Sequence, residues 1–105
     1  MDDWTPITET ELLLRLEEEE REMSSAERQN FDAWKVAVGT RGKVAQFNSD
    51  AVEIVFIVAR NGGKVVFFDD VEDEFAAGNI NDFGVITNAG LFGELRWALR
   101  SLATA

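Results

Sequence analysis

Two short apolar segments separated by a glycine-containing turn constrain the fold of this chain more than any other feature. Residues 52–59 and 64–68 are rich in β-branched and aromatic side chains, which favour strands. Between them, Asn61-Gly62 is typical of a type I′ hairpin turn, in which both central residues have positive φ. The pattern predicts that the two segments pair antiparallel across Asn61-Gly62.

Both faces of this predicted hairpin are apolar. Alternate residues of the first segment are expected to face opposite ways, with Val52, Ile54, Phe56 and Val58 on one side and Val55, Ile57 and Ala59 on the other. A hairpin of this kind must be covered on both sides. Helices on both faces would provide the cover, as would helices on one face and a second subunit on the other.

Two Ser/Thr-x-x-Glu patterns predict two helices before the hairpin. Residues 8–11 and 24–27 each match a capping box, in which a hydroxyl and a carboxylate accept hydrogen bonds from free amides of the first turn. The first helix is expected to begin at Glu9. The second is expected to end between residues 35 and 38, before a glycine.

The C-terminal third predicts one more strand and one more helix. A short third strand is expected at residues 83–87, after a loop at 79–84, and residues 88–90 then lead into the helix. The apolar stripe expected on that helix consists of Leu91, Phe92, Leu95, Ala98, Leu99 and Leu102. The predicted order is α-α-β-β-β-α, with an extra strand near residues 43–47 as an alternative.

These elements predict a single α+β domain over residues 1–105. Its antiparallel sheet is centred on the hairpin at residues 52–68 and packs with two N-terminal helices and one C-terminal helix. The acidic N-terminus is unlike a secretory signal, and the apolar runs are too short to span a bilayer. We therefore expect a cytoplasmic protein that does not bind membranes.

The absence of three residue types narrows the chemistry. The sequence contains no histidine, cysteine or tyrosine, which removes disulfides, thiolate nucleophiles, the usual zinc ligands and the imidazole best suited to acid–base catalysis near neutral pH. We expect no catalytic residue, no cofactor and no metal site, and a protein that is not an enzyme. The alternative is a metal-binding protein or enzyme that uses the carboxylates of residues 69–74.

The net charge of −10 is concentrated in two segments. Residues 1–30 carry ten acidic and three basic side chains, and residues 69–82 carry six acidic and no basic side chains. A field of this sign repels nucleic acids and anionic membranes and attracts basic proteins. The expected partner is therefore another protein, one with a basic surface, and not a nucleic acid.

The segment after the hairpin is the main candidate for partner binding. It is predicted to form an acidic turn held by Val71 and Phe75 as apolar anchors, and its carboxylates are those of Asp69, Asp70, Glu72, Asp73 and Glu74. Carboxylates fixed at the end of a hairpin suit arginine or lysine side chains of a partner. The alternative is a solvated turn whose charges keep a sheet edge from pairing.

The first and last helices supply the remaining candidates. Glu17 and Glu18 are expected to steer a basic partner, or alternatively to be part of a solvated helix end. Leu14 and Trp97 lie off the apolar stripes of their helices. Each is interpreted either as contacting a second layer of the core or as an exposed anchor for a partner.

A resemblance to a known class of proteins supports a binding role. Residues 55–75, VFIVARNGGKVVFFDDVEDEF, and residues 94–99, ELRWAL, resemble segments of small acidic bacterial proteins of the immunity type, which neutralise toxins used between competing cells. These two segments comprise 27 of the 105 residues and contain no catalytic motif. The resemblance implies a protein-binding function without a cofactor.

The sequence therefore predicts a stoichiometric protein-binding module. In its most specific form, this is an immunity or antitoxin protein that neutralises a basic toxin through an acidic surface. The alternative is a homodimeric accessory or adaptor protein that uses its apolar surface. We expect a homodimer because a hairpin that is apolar on both faces needs more cover than three helices provide.

Overall fold

The computed structural model describes residues 6–45 and 52–104. The elements are α1 (Glu9–Arg21), α2 (Ser25–Trp34), β1 (Arg41–Ala45), β2 (Val52–Asn61), β3 (Lys64–Asp69), β4 (Glu74–Ile80), β5 (Val85–Gly93), α3 (Leu95–Arg100) and a short 3-10 helix (Ser101–Thr104). This composition confirms the α+β class. Among the described residues, no helix has the length and apolar character needed to cross a membrane.

The five strands close into a barrel in the order β1-β2-β3-β4-β5, whereas the sequence predicted only an antiparallel sheet. Consecutive strands pair antiparallel throughout. In such a meander the first and fifth strands point the same way, so the pair that closes the barrel must be parallel. That pair is short and joins Lys43 to Val85 and Val44 to Ile86.

The predicted hairpin is confirmed, with its turn shifted by one residue. β2 and β3 pair antiparallel, and Asn61 pairs with Lys64, so the central turn residues are Gly62-Gly63. Only the first of these glycines has positive φ (+61°), the pattern of a type II′ turn. Asn61 is therefore free to donate its side-chain amide to the carbonyl of Leu102 at 2.7 Å.

Two apolar clusters cover the two faces of the sheet. The barrel interior is filled by Val55, Ile57, Val65, Phe67, Ala76 and Ile86. The space between the barrel and the three helices is filled by Leu12, Met23, Phe31, Val58, Ala59, Val66, Phe68, Phe75, Ala77, Leu95, Ala98, Leu99 and Leu102. Barrel closure thus covers one face of the hairpin and helices cover the other, within a single chain. The homodimer stays a prediction, but the hairpin core does not require it.

A bulge in β2 changes which hairpin side chains face the helices. The register shifts between Ile57 and Ala59, and Val58 and Ala59 both lie in the cluster beneath the helices. The predicted alternation was therefore wrong for Ala59, which was expected on the same side as Ile57. Val52 and Ile54, at the start of the strand, are exposed.

Both capping boxes are confirmed. The Thr8 hydroxyl accepts from the Glu11 amide at 3.1 Å, and the Glu11 carboxylate accepts from the Thr8 amide at 3.0 Å. Ser24 and Glu27 form the same pair of bonds, at 3.2 and 2.8 Å. The first helix begins at Glu9 as predicted. The second ends one residue earlier than expected, at Trp34.

The C-terminal half departs most from the prediction. Residues 74–80 form a strand that was not predicted, and the following strand runs to Gly93 instead of ending at residue 87. Leu91 and Phe92 were expected on the last helix, but they lie on β5 and are exposed. Gly93 has a positive φ of +78° and ends the strand, so α3 begins only at Leu95. The alternative extra strand is present as β1, two residues before the expected position.

Candidate protein-binding surface

The two acidic segments of the sequence meet where α1 lies along the β3–β4 turn. The amide of Ile7 donates to Asp70 Oδ2 at 3.0 Å. Within α1, Arg15 Nη1 donates to Asp73 Oδ1 at 2.9 Å, and Nη2 donates to the Asp73 carbonyl at 3.2 Å. These contacts fix the acidic turn against the acidic helix.

Arg15 is held at this junction by aromatic rings as well as by hydrogen bonds. Its guanidinium lies 5.4 Å from the ring centre of Phe68 and 5.8 Å from that of Phe75. The two rings pack edge to face with their centres 5.1 Å apart. Cation–π contacts at this range favour the charged guanidinium. A single cation therefore joins the apolar core to the carboxylates above it.

The turn is organised by its own first carboxylate. Asp69 Oδ1 accepts from the amides of Val71 and Glu72, both at 3.1 Å, as a side-chain-capped turn requires. Asp73 closes the turn with φ +58°, a conformation that aspartate tolerates better than most residues. Phe75 is fully buried, as expected of an anchor. Val71 is 56% exposed, so its predicted role as a second anchor was wrong.

The five turn carboxylates therefore have different roles. Asp69 and Asp70 accept backbone hydrogen bonds and hold the turn in place. Asp73 pairs with Arg15 but keeps a side chain that is 76% exposed. Glu74 is half-buried at the start of β4. Glu72 is exposed, and its carboxylate has no hydrogen bond or ion pair within residues 6–45 and 52–104, which makes it the most available of the five.

Helical periodicity divides the carboxylates of α1 into two groups. Glu11 and Glu18 lie four residues before and three residues after Arg15, so they share the side of the helix that meets the turn. Both are exposed. Glu17 lies on the opposite side. We refer to the surface formed by Glu11, Glu18, Glu72 and Asp73 as the acidic face.

The end of α1 is not simply solvated, as one interpretation of the sequence held. Glu19 Oε1 accepts a 2.6 Å hydrogen bond from the amide of Leu95, the first residue of α3. Its carboxylate is also 3.8 Å from Arg15. Glu19 therefore connects two helices and is half-buried.

The two off-stripe residues are both exposed. Leu14 is 56% exposed and lies one turn before Glu18, at the border of the acidic face. Trp97 is 47% exposed and lies in a separate group with Glu94, Arg96 and Arg100. Its indole Nε1 donates to Glu94 Oε2 at 2.6 Å, and Arg100 lies 5.3 Å from its ring. No contact in the described part of the chain joins Trp97 to the acidic turn.

The hydrogen bonds around Trp97 also lower the pKa of the Glu94 carboxyl. The hydrogen bond from the Trp97 indole, and then that from Arg96, lower the pKa of the Glu94 carboxyl below its usual range. Arg96 Nε is 2.8 Å from the same oxygen, Glu94 Oε2. The negative charge of Glu94 is thus matched locally and adds little to the field that a partner experiences.

Asp82 does not belong with the turn, although the sequence placed both in one acidic segment. It lies in the connection between β4 and β5, whereas the acidic turn precedes β4. The seven residues of β4 separate them by roughly 20 Å at the rise of an extended strand. The acidic segment 69–82 is therefore divided between two ends of the barrel.

Within residues 6–45 and 52–104, no group of three or more histidine, cysteine, aspartate or glutamate side chains is arranged to hold a metal ion. Comparison with models of protein families, with curated proteins and with solved structures finds no match for this chain.

Proposed function

We propose that this protein binds a basic protein stoichiometrically through the acidic face. In the most specific form of the proposal, it is an immunity or antitoxin protein and the partner is a basic toxin. Glu72 and Asp73 contact the partner directly, and Glu11 and Glu18 contribute to the field that steers it.

One observation carries this proposal: segments that lie more than 40 residues apart in sequence place their carboxylates on one surface. The contacts from Ile7 to Asp70 and from Arg15 to Asp73 hold α1 and the turn together. Charges spread for solubility alone would not need to be collected in this way, because neighbouring like charges repel each other and destabilise the folded state.

The fixed geometry of the turn also favours recognition. Its backbone is held by the Asp69 carboxylate and by Arg15, and the Asp70 side chain accepts from the Ile7 amide, so Glu72 belongs to a preformed loop. A preformed site loses less conformational entropy on binding than a flexible one. Carboxylates placed in this way form charge-assisted hydrogen bonds with arginine or lysine side chains.

Affinity purification with charge-reversed variants tests the proposal. The tagged protein is used to capture partners from the lysate of its own cell and of competing cells, and captured proteins are identified by mass spectrometry. We expect one basic protein in a one-to-one ratio. Its association rate should fall with Glu72→Lys and should also fall as salt increases.

Asp82→Lys provides the matched control. It changes the net charge by the same amount in an exposed turn at the other end of β4. Equal effects of Glu72→Lys and Asp82→Lys would show that only the overall charge matters. A partner whose affinity depends neither on salt nor on Glu72 would contradict the proposal.

A further inference from the structure

A second surface on α1, opposite the acidic face, is an apolar groove. It lies between α1 and the segment that joins α2 to β1. Leu13, Leu16, Glu17 and Glu20 line it on α1, and Lys35 and Val38 line it on the other side. We propose that this groove receives apolar side chains of an amphipathic helix rich in lysine or arginine. This inference rests on the part of the proposed function in which the partner is a basic protein, and it adds a second contact surface on the other side of α1.

The groove has an apolar floor and an apolar rim. Phe31, Ile57 and Val58 are buried and form the floor. Leu13 and Val38, on the two sides of the opening, are 42% and 48% exposed. Large apolar side chains left in water at both edges of a groove gain free energy when a partner covers them.

The joining segment that forms one wall is fixed by backbone hydrogen bonds to β2. The Val36 amide donates to the Val58 carbonyl at 3.2 Å, and the Ile57 amide donates to the Thr40 carbonyl at 2.8 Å. These bonds fix this wall of the groove relative to β2. A groove that is already formed binds an apolar anchor at a lower ordering cost than a flexible surface does.

The negative charge around the groove favours a basic occupant. Glu17 and Glu20 line its α1 side, and neither carboxylate has an ion-pair partner in the described part of the chain. The cation on the other side, Lys35, lies 3.2 Å from Asp32, which offsets its charge. An apolar anchor flanked by lysine or arginine side chains therefore matches both the apolar floor and the acidic rim.

The size of the groove is compatible with a few apolar side chains of a larger partner. Its volume is about 230 Å³, whereas pockets for drug-sized ligands usually have roughly 300–1,000 Å³. An amphipathic helix presents apolar residues three and four positions apart, and these fit a short groove beside another helix. Its basic residues on the adjacent positions would then lie over Glu17 and Glu20.

The test uses a synthetic peptide of about eighteen residues, or roughly five helical turns. Its leucines are spaced three and four residues apart to form one helical face, and lysines form the other. Binding to the ¹⁵N-labelled protein is followed by NMR. We expect amide shifts concentrated at Leu13, Leu16 and Val38. A peptide with glutamate in place of lysine should bind at least roughly fivefold more weakly at low salt.

Neighbouring residues on the same helix provide matched variants. Leu13→Ala should weaken peptide binding roughly three- to fivefold, because it removes an apolar contact at the rim. Leu14→Ala alters a neighbouring exposed leucine that does not line the groove and should leave the affinity for the peptide unchanged. Glu17→Gln with Glu20→Gln should weaken binding about fivefold at low salt, whereas Asp82→Asn, in the exposed turn after β4, should not.

The outcomes separate this inference from the proposed function. Equal effects of Leu13→Ala and Leu14→Ala, shifts confined to the β3–β4 turn, or no binding of the peptide would each overturn the groove inference. If Glu72→Lys alone weakens capture of the basic partner, the proposed function stands and the groove fails. If Leu13→Ala alone does so, the groove stands and the acidic face fails.

Discussion

Arg15 and Asp73 are separated by 58 residues in sequence, yet Nη1 of the first lies 2.9 Å from Oδ1 of the second. The same guanidinium lies above the buried rings of Phe68 and Phe75. The Arg15 side chain therefore joins α1, the acidic turn and the core. Stability at this junction and the geometry of the candidate site depend on the same contact.

The first prediction concerns the strength of this junction. Arg15→Met keeps the aliphatic part of the side chain over the rings but removes the charge and the hydrogen bonds, and should lower the free energy of unfolding by about 1 kcal/mol. Combined with Asp73→Asn in a double-mutant cycle, it should give a coupling energy of roughly 0.5 kcal/mol. Urea denaturation measures both the loss of stability and the coupling energy.

Arg21→Met, at the exposed end of the same helix, serves as the control and should change stability by only a few tenths of a kcal/mol. Additive effects of the first two substitutions would contradict the prediction.

The second prediction concerns the close approach of β4 and β5. A Cβ added at Gly78 would lie 2.9 Å from the Thr87 carbonyl oxygen and 2.9 Å from Cγ2 of Ile86. Because the first of these atoms belongs to the backbone, it cannot move aside without shifting the strand. Gly78→Ala should therefore destabilise the barrel by about 1–3 kcal/mol.

Gly63→Ala is the control for this substitution. A Cβ at Gly63 would have no heavy atom within 4 Å, and the residue does not have positive φ. Its effect should stay within about 0.5 kcal/mol. Thermal and urea denaturation compare the two variants, and equal stabilities would show that the strands separate easily at Gly78.

The helices could be predicted from sequence because their signals are local. Each capping box lies within four residues, so Thr8 with Glu11 and Ser24 with Glu27 were sufficient to locate both N-termini. β4 was missed because its sequence, EFAAGNI, contains small residues with little preference for strands. Its conformation is set by pairing with β3 and β5, which the sequence does not reveal.

The candidate site could be located from sequence but not resolved into separate roles. The acidic turn was predicted, and its carboxylates were treated as equivalent. Which of them are engaged depends on the turn amides that reach Asp69 and on the distant residues Ile7 and Arg15. One signal pointed to Arg15: it is a cation beside the apolar stripe of an otherwise acidic helix, a position where a guanidinium contacts both core and surface.

The third prediction concerns the pH dependence around Trp97. The indole hydrogen bond and then Arg96 lower the pKa of Glu94, so its charged form is favoured in the folded state. The resulting stability should be fully present above the usual glutamate pKa and should be lost as pH falls through the lower pKa of the folded protein. Glu94→Gln should therefore be less stable than the parent near neutral pH, and the difference should shrink in acid. Denaturation curves recorded from about pH 3 to about pH 7, which spans the usual pKa of carboxyl groups, measure this difference in stability. A difference that grows in acid would have the wrong sign.

The final prediction separates a charge retained for binding from one retained for stability. Glu72 is exposed and precedes Asp73 in the acidic turn, and its own carboxylate has no ion-pair partner in the described segments. Repulsion within this turn should make the parent protein less stable than a neutralised variant. Glu72→Gln should therefore raise the free energy of unfolding by roughly 0.2–1 kcal/mol at low salt, and the gain should fade as salt screens the repulsion.

Asp82→Gln, at the other end of β4, should give a smaller gain because Asp82 is distant from the acidic face. A loss of stability with Glu72→Gln would mean that this carboxylate supports the fold, which would remove it from the binding proposal. A gain in stability together with weaker binding of the basic partner is the combination expected of a residue placed for recognition.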